Sequence, residues 1–188
     1  MEVRELLNVL HIAERLKDEL RHCETSKGRR ESVAEHSWRL ALMAFFMKDE
    51  FPTLNMDKVI KMCLIHDLGE CFTGDIPTFM KSASDEKKED TALFDWVASL
   101  PLPYDTELAA LYTEMSVLQT DEAKLYKALD KLEAVIQHNE SGIRSWEPLE
   151  YDLNRTYAYD AVAFSPYLTK LRAAVREDTE EKIKAAEK

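Results

Sequence analysis

His66 and Asp67 stand side by side at the end of the apolar run Val59-Ile60-Lys61-Met62-Cys63-Leu64-Ile65. Two metal-ligating groups thus occupy a place where hydrocarbon is expected, and burying them without partners is costly. A bound cation resolves that cost. Further ligand types lie along the chain: His36 upstream, Asp130 downstream, and Glu70 and Asp75 just past the pair. Imidazoles with carboxylates make a mixed nitrogen and oxygen set that suits Zn, Mn, Fe, Co or Ni, and spacing does not choose among them. The chemistry of such a set is hydrolysis, since a coordinated water loses its proton near neutrality and neighbouring carboxylates can act as base and acid. Buried histidines readily find carboxylates without any metal, so the dipeptide gains weight only from the groups around it.

Several elements must position these groups. Leu6, Leu7, Leu10, Ala13, Leu16 and Leu20 recur at helical spacing, which predicts an amphipathic helix over residues 2–22, ending near the polar stretch Glu24 to Arg30. Ser32 followed by Glu35 is a capping box, and the stripe Val33, His36, Leu40, Met43, Ala44 and Met47 turns His36 inward in the first turn of the next helix. Pro52 to Asn55 breaks that helix. The segment from Asp57 to about Gly69 is apolar almost all round, as expected of a central buried helix, and Gly69 and Gly74 bracket a loop. Ser84 is expected to cap a helix through Leu100, with further helices over 105–118 and 121–138. Residues 139–158 read as irregular, and Ser165-Pro166 opens a final helix, with serine at the N-cap and proline at the first helical position. On the 121–138 helix the apolar stripe Leu125, Ala128, Leu129, Leu132, Val135 and Ile136 leaves Asp130 nearly opposite, so periodicity alone places Asp130 in solvent. Tyr126, Ala134 and Gln137 offer a second face that could line a cavity.

Composition sets the frame. With 188 residues, 45% of them hydrophobic, and no evident linker, one domain over 1–188 is expected. Four glycines and abundant Leu, Ala, Lys and Glu favour an all-α fold. A formal net charge of −11 denies the chain the electrostatic term that drives binding to duplex nucleic acid or anionic membranes, although a local cationic pocket would still take a small phosphorylated ligand. Cys23, Cys63 and Cys71 form no CxxC pair, which points to reduced thiols and a cytoplasmic location, and no apolar run is long enough to span a membrane. Arg15, Lys17, Arg21, Lys27, Arg29 and Arg30 cluster before His36, and guanidinium forks suit phosphate. His11 and His138 read as surface or packing histidines.

Three strings, Glu31-Ser32-Val33-Ala34-Glu35-His36-Ser37, His66-Asp67-Leu68-Gly69-Glu70-Cys71-Phe72-Thr73-Gly74-Asp75-Ile76-Pro77 and Lys127-Ala128-Leu129-Asp130-Lys131, together resemble the HD-domain phosphohydrolase superfamily, in its bacterial 5'-deoxynucleotidase-like branch. The resemblance runs from about Arg15 to Gln137. It implies an orthogonal multi-helix bundle in which His36, His66, Asp67 and Asp130 hold one divalent cation (Co, Mn, Zn, Fe, Ni or Mg), with Glu70 and Asp75 catalytic. It implies hydrolysis of nucleoside 5'-monophosphates, deoxynucleotides above all, to nucleoside and phosphate. Arg21 falls where this branch places a substrate-contacting arginine, and Lys81 is a further phosphate-contact candidate. At the next position the branch carries tryptophan and this chain has His22, whose smaller ring leaves room for a 2'-hydroxyl. Members of the branch often form homodimers, and no stripe here marks an interface. A phosphohydrolase of another, pyrophosphorylated or signalling, nucleotide and a catalytically weak metal-binding regulator remain as alternatives. The chain lacks the Gly-Tyr-Pro signature of cyclic-dinucleotide phosphodiesterases and any additional His-rich motif of a di-iron site.

Overall fold

The helix that carries His36 starts as its capping box predicts: the Glu35 amide donates to the Ser32 hydroxyl at 3.3 Å, and the Ser32 amide donates to the Glu35 carboxylate at 2.9 Å. The computed structural model describes residues 1–187. Its helices are α1 (Val3–Glu14), α2 (Val33–Phe46), α3 (Met56–Ile65), α4 (Glu70–Thr73), α5 (Ala83–Ala98), α6 (Tyr104–Val117), α7 (Asp121–Glu140), α8 (Glu150–Thr156), α9 (Tyr159–Val162) and α10 (Pro166–Ala186). A single antiparallel hairpin, β1 (Leu20–Glu24) with β2 (Arg30–Ser32), precedes α2. The fold is therefore all-α, as composition predicts, with this hairpin as its one sheet among the described residues.

The axis of the bundle is α7, which packs against α2, α3, α6, α9, α10 and β1. Its buried positions include Leu125, Leu129 and Leu132 on one side and Tyr126, Glu133 and Gln137 on another. This overturns the expectation that the segment after Asp57 is the central helix. That segment, α3, buries Val59, Met62 and Cys63 but leaves Leu64 49% exposed, and it stops at Ile65. The core joins Leu40 of α2, Met62 of α3, Leu129 of α7 and Leu168 of α10.

Three further expectations need correction. The first helix does not run to residue 22. It ends at Glu14, a 3-10 turn follows over Arg15–Lys17, and Arg21 and His22 lie on β1 instead. Backbone pairing with β2 outcompetes helical periodicity here, and Arg30 fastens the strand by donating to the Arg21 and Leu20 carbonyls, each at 2.8 Å. None of the apolar residues of α1 is buried. Second, α5 is capped by Ser82, not Ser84, because Asp85 completes a capping box with Ser82. Third, 139–158 is not wholly irregular: the Glu150 carboxylate accepts from the Glu147 amide at 2.7 Å and nucleates α8. The final helix begins at Ser165-Pro166 as predicted. Among the described residues no helix is long and apolar enough to cross a membrane.

Candidate metal centre and adjoining cavity

His66 is the C-cap of α3, so His66 and Asp67 sit just past the helix end, where consecutive side chains can turn toward one point. A Tyr112 hydroxyl bond to the Ile65 carbonyl at 2.7 Å fixes that end. His36 enters from the first turn of α2 and Asp130 from the middle of α7. His36 Nε2 lies 3.2 Å from His66 Nε2, 3.8 Å from Asp67 Oδ2 and 3.3 Å from Asp130 Oδ1. His66 Nε2 lies 2.9 Å from Asp67 Oδ2 and 3.6 Å from Asp130 Oδ1. The Asp130 side chain is 18% exposed, against the solvent position that periodicity assigns it. The face of α7 opposite the apolar stripe is covered by the site itself.

These atoms fit a divalent cation. The other ring nitrogens are already committed: His36 Nδ1 donates to Glu133 and His66 Nδ1 donates to the Cys63 carbonyl at 2.9 Å. Both tautomers thereby leave an Nε2 lone pair facing the other, an arrangement that requires a cation or a proton between them. Ligands about 2.1 Å from an ion stand about 3.0 to 3.4 Å apart at octahedral to tetrahedral angles, which the spacings above approach. In the absence of a metal ion, protons fill the role. Burial would push His66 down, but Asp67 and Asp130 outweigh it and hold it up at about 10. Burial would push the carboxyls up, yet His66 brings Asp67 down to about 2, and Lys127 with both imidazoles takes Asp130 well below the usual carboxylate range.

A second layer holds these candidate ligands, and most of it escapes the sequence pattern. Glu133, completely buried, orients His36 and lies 3.4 Å from Arg21 and 3.7 Å from Arg39. Lys127 donates to Asp130 Oδ2 at 2.7 Å, leaving Oδ1 for the centre. Glu133 lies three residues after Asp130 and four before Gln137, on the very face singled out as a second lining, so its position was available from helical spacing. Glu31, His36 and Glu133 also converge closely. Arg21 stands 3.5 Å from Glu31 and 3.4 Å from Glu133, so that trio is an ion-pair network.

Glu70 opens α4, buried, with an Oε2 that has no hydrogen-bond partner. Burial, then Asp67, Asp75 and Glu89, pushes its carboxyl up to about 10. Asp75 follows Gly74, whose φ of +80° suits glycine and where a Cβ would come 3.0 Å from Glu19. The same Glu19 carboxylate accepts from the Asp75 amide at 3.2 Å, so the turn is fixed. Burial raises Asp75 as well, against the pull of Arg21.

Arg21 and Asp75 also line a cavity of about 230 Å³, a little below the usual range of small-ligand pockets. His22, Phe79 and Tyr157 form aromatic walls, with His22 edge-on to Phe79 at 5.9 Å. Further lining comes from Ala134 and His138 of α7 and from Glu150 and Asn154 of α8. His138 is thus a cavity residue rather than a surface one, and burial, then Arg21 and His22, depresses it to about 4. Lys81 does not line the cavity. It is held by Glu89 at 2.6 Å.

The family model described as "HD domain" matches residues 13–172. The human 5'-deoxynucleotidase HDDC2 (Homo sapiens) is 35% identical over 138 residues, covering 72% of this chain and 64% of that protein, so the chain spans less than two thirds of that relative's length. Among solved structures, a predicted metal-dependent phosphohydrolase from Magnetospirillum magnetotacticum MS-1 superposes with a TM-score of 0.80 at 27% identity, covering 96% of this chain and 93% of that one. A conserved hypothetical protein from Pyrococcus furiosus gives 0.71 at 28% identity, covering 91% and 99%. The family match takes in the hairpin, both histidine-bearing elements, all of α7 and the start of α10, and the chain belongs to the HD-domain family.

Proposed function

We propose that this chain is a metal-dependent phosphohydrolase that removes the phosphate of nucleoside 5'-monophosphates, deoxynucleotides in particular. The observation that carries this reading is the convergence of two Nε2 lone pairs with Asp67 and Asp130 oxygens beside a cavity edged by Arg21. The names of the curated relatives support the choice of substrate. His36, His66, Asp67 and Asp130 hold the cation, whose identity the mixed donor set leaves open. Such a cation supplies Lewis acidity toward a phosphoryl oxygen and lowers the pKa of a water.

This chain's own residues then divide the work. Arg21 offers its guanidinium to the phosphate and loosens from Glu31 and Glu133 as it does so. Glu70 and Asp75 hold and move protons: water adds to phosphorus, the bond from phosphorus to O5' breaks, and the departing O5' takes a proton to leave as nucleoside. His22, Phe79 and Tyr157 enclose the nucleoside and exclude water. Lys81, tied to Glu89, acts only through the field it adds near Glu70. The buried, unpaired Cys23, Cys63 and Cys71 support a cytoplasmic site of action. The test is phosphate release from a panel of deoxy- and ribonucleotides with Mn, Co, Zn or Mg added singly. Cation-dependent release that Asp67→Ala abolishes is expected, and no release from any mononucleotide refutes the proposal.

A further inference from the structure

Asp130, Ala134 and His138 recur every four residues along α7, so they share one face, and His138 lies about 12 Å along the helix from Asp130 at about 1.5 Å per residue. With a phosphate at the metal centre, the far end of a mononucleotide reaches the His138 end of the cavity. Across from His138 stand Glu150 and Asn154, four residues apart on α8 and therefore on one face. Both are almost fully buried, at 1% and 4% exposure, and both line the cavity. The Asn154 amide nitrogen has no hydrogen-bond partner. One Glu150 oxygen is used by the Glu147 amide. The other, Oε1, faces His22 Nε2 at 3.3 Å and His138 Nε2 at 3.6 Å, and the first of these nitrogens makes no hydrogen bond while the second is too distant for one. A buried donor without a partner and a carboxylate oxygen that makes no hydrogen bond thus line one cavity, and the unpaired Asn154 donor is a costly state unless a ligand completes it.

We infer that Glu150 and Asn154 read the nucleobase, and that they favour bases bearing an exocyclic amino group over thymine. This rests on the phosphohydrolase reading above. An amino group projects two N–H donors, one of which Glu150 Oε1 can accept, while the adjacent ring nitrogen or carbonyl accepts from Asn154 Nδ2. Thymine offers a single ring N–H flanked by carbonyl oxygens on both sides, so bringing it to Glu150 sets an oxygen against the carboxylate. Arg172 fixes the pair's segment from below, donating to the Asn154 carbonyl at 2.7 Å and the Tyr157 carbonyl at 2.8 Å.

The experiment compares kcat/KM for dAMP and dTMP, and the affinities of deoxyadenosine and thymidine, in the wild type and in Glu150→Gln. The wild type should favour dAMP at least tenfold, and deoxyadenosine likewise. Glutamine keeps an oxygen for the Glu147 amide and turns a donor into the cavity, so Glu150→Gln should shift the ratio at least tenfold toward dTMP. Asn154→Ala, which removes a donor that every base can use, should weaken both nucleotides and leave their ratio within about threefold. A wild-type ratio within threefold of unity overturns the inference whether or not any variant folds, as does an active Glu150→Gln whose ratio is unmoved. Absence of turnover with every nucleotide sinks the phosphohydrolase reading instead, and nucleoside binding still decides whether Glu150 reads the base.

Discussion

Replacing Glu133 by glutamine removes a charge from the second layer without changing its shape. One carboxylate oxygen of Glu133 accepts a hydrogen bond from His36 Nδ1 and lies 3.4 Å from Arg21, and the other lies 3.7 Å from Arg39. A glutamine has one oxygen and one amino group, and each orientation is worse. If the oxygen stays with His36, the amino group meets the Arg39 guanidinium, donor against donor. If the amino group turns to His36, Nδ1 must accept, the ring proton moves to Nε2, and the lone pair needed by the cation is gone. Loss of a partner of this kind weakens metal affinity about 10- to 100-fold, or about 1.4 to 2.7 kcal/mol. Competition against a chromophoric chelator at fixed pH reads this directly. Denaturant unfolding of the metal-free protein separately measures the cost to the fold, about 1 to 3 kcal/mol for disturbing a buried hydrogen-bonded carboxylate. A folded Glu133→Gln protein with a metal Kd within twofold of wild type refutes the assignment of His36 as a ligand held by Glu133.

Glu70→Gln should keep its metal and lose about two to four orders of magnitude in turnover, the range of a positioned acid or base, and a loss below about threefold removes Glu70 from the chemistry. His22→Trp should raise the preference for dAMP over AMP by about ten- to two-hundredfold, because the indole takes the room that the imidazole leaves beside the sugar, and an unchanged ratio dismisses His22 as a sugar gate. Metal uptake should release protons at pH 7: in the metal-free protein burial lowers His66, but Asp67 and Asp130 hold it up at about 10, so below that value a cation must displace its proton. Affinity therefore rises with pH from neutrality toward about 10 and then levels, and calorimetry in buffers of contrasting ionisation enthalpy that detects no proton release at pH 7 contradicts this.

Local chemistry made some of the structure legible in the sequence. Ser32 with Glu35 and Ser165 with Pro166 announce helix starts because the orphan amides there have few other partners. His36, His66 and Asp67 could be found because each interrupts an apolar pattern. Asp130 comes from the family resemblance and not from the pattern, since an acid off the stripe of an ordinary helix is solvated, and the packing of α7 against several elements reverses that. The hairpin was hidden because Leu16 and Leu20 continue a helical spacing that long-range pairing overrides. Arg21 and His22 reach the cavity through that pairing, with the Gln137 amide donating to the Glu24 carbonyl at 2.7 Å to tie the strand to α7. Glu150 and Asn154 were lost with the misread segment, whose short helix depends on one side-chain cap.

The charges around the centre explain why recognition and chemistry cannot be separated. The phosphate dianion of the proposed substrate would approach Asp67, Asp130 and Glu133, all held ionised, in a chain of net charge −11. The cations within reach are already engaged: Arg21 faces Glu31 and Glu133, Lys127 is bound to Asp130, and Lys81 to Glu89. On the proposed function, the polypeptide alone would therefore repel its substrate's phosphate. A dication held by His36, His66, Asp67 and Asp130 would reverse the local field, so that Asp67 and Asp130 would no longer share protons with the imidazoles and Arg21 could turn from Glu133 to a phosphate. A nucleoside, carrying no phosphate, meets only the cavity walls and needs none of this. Metal and mononucleotide should thus strengthen each other's binding, while metal and nucleoside should be nearly independent, because the proposed base contacts lie on α8 and the proposed phosphate contact is the cation.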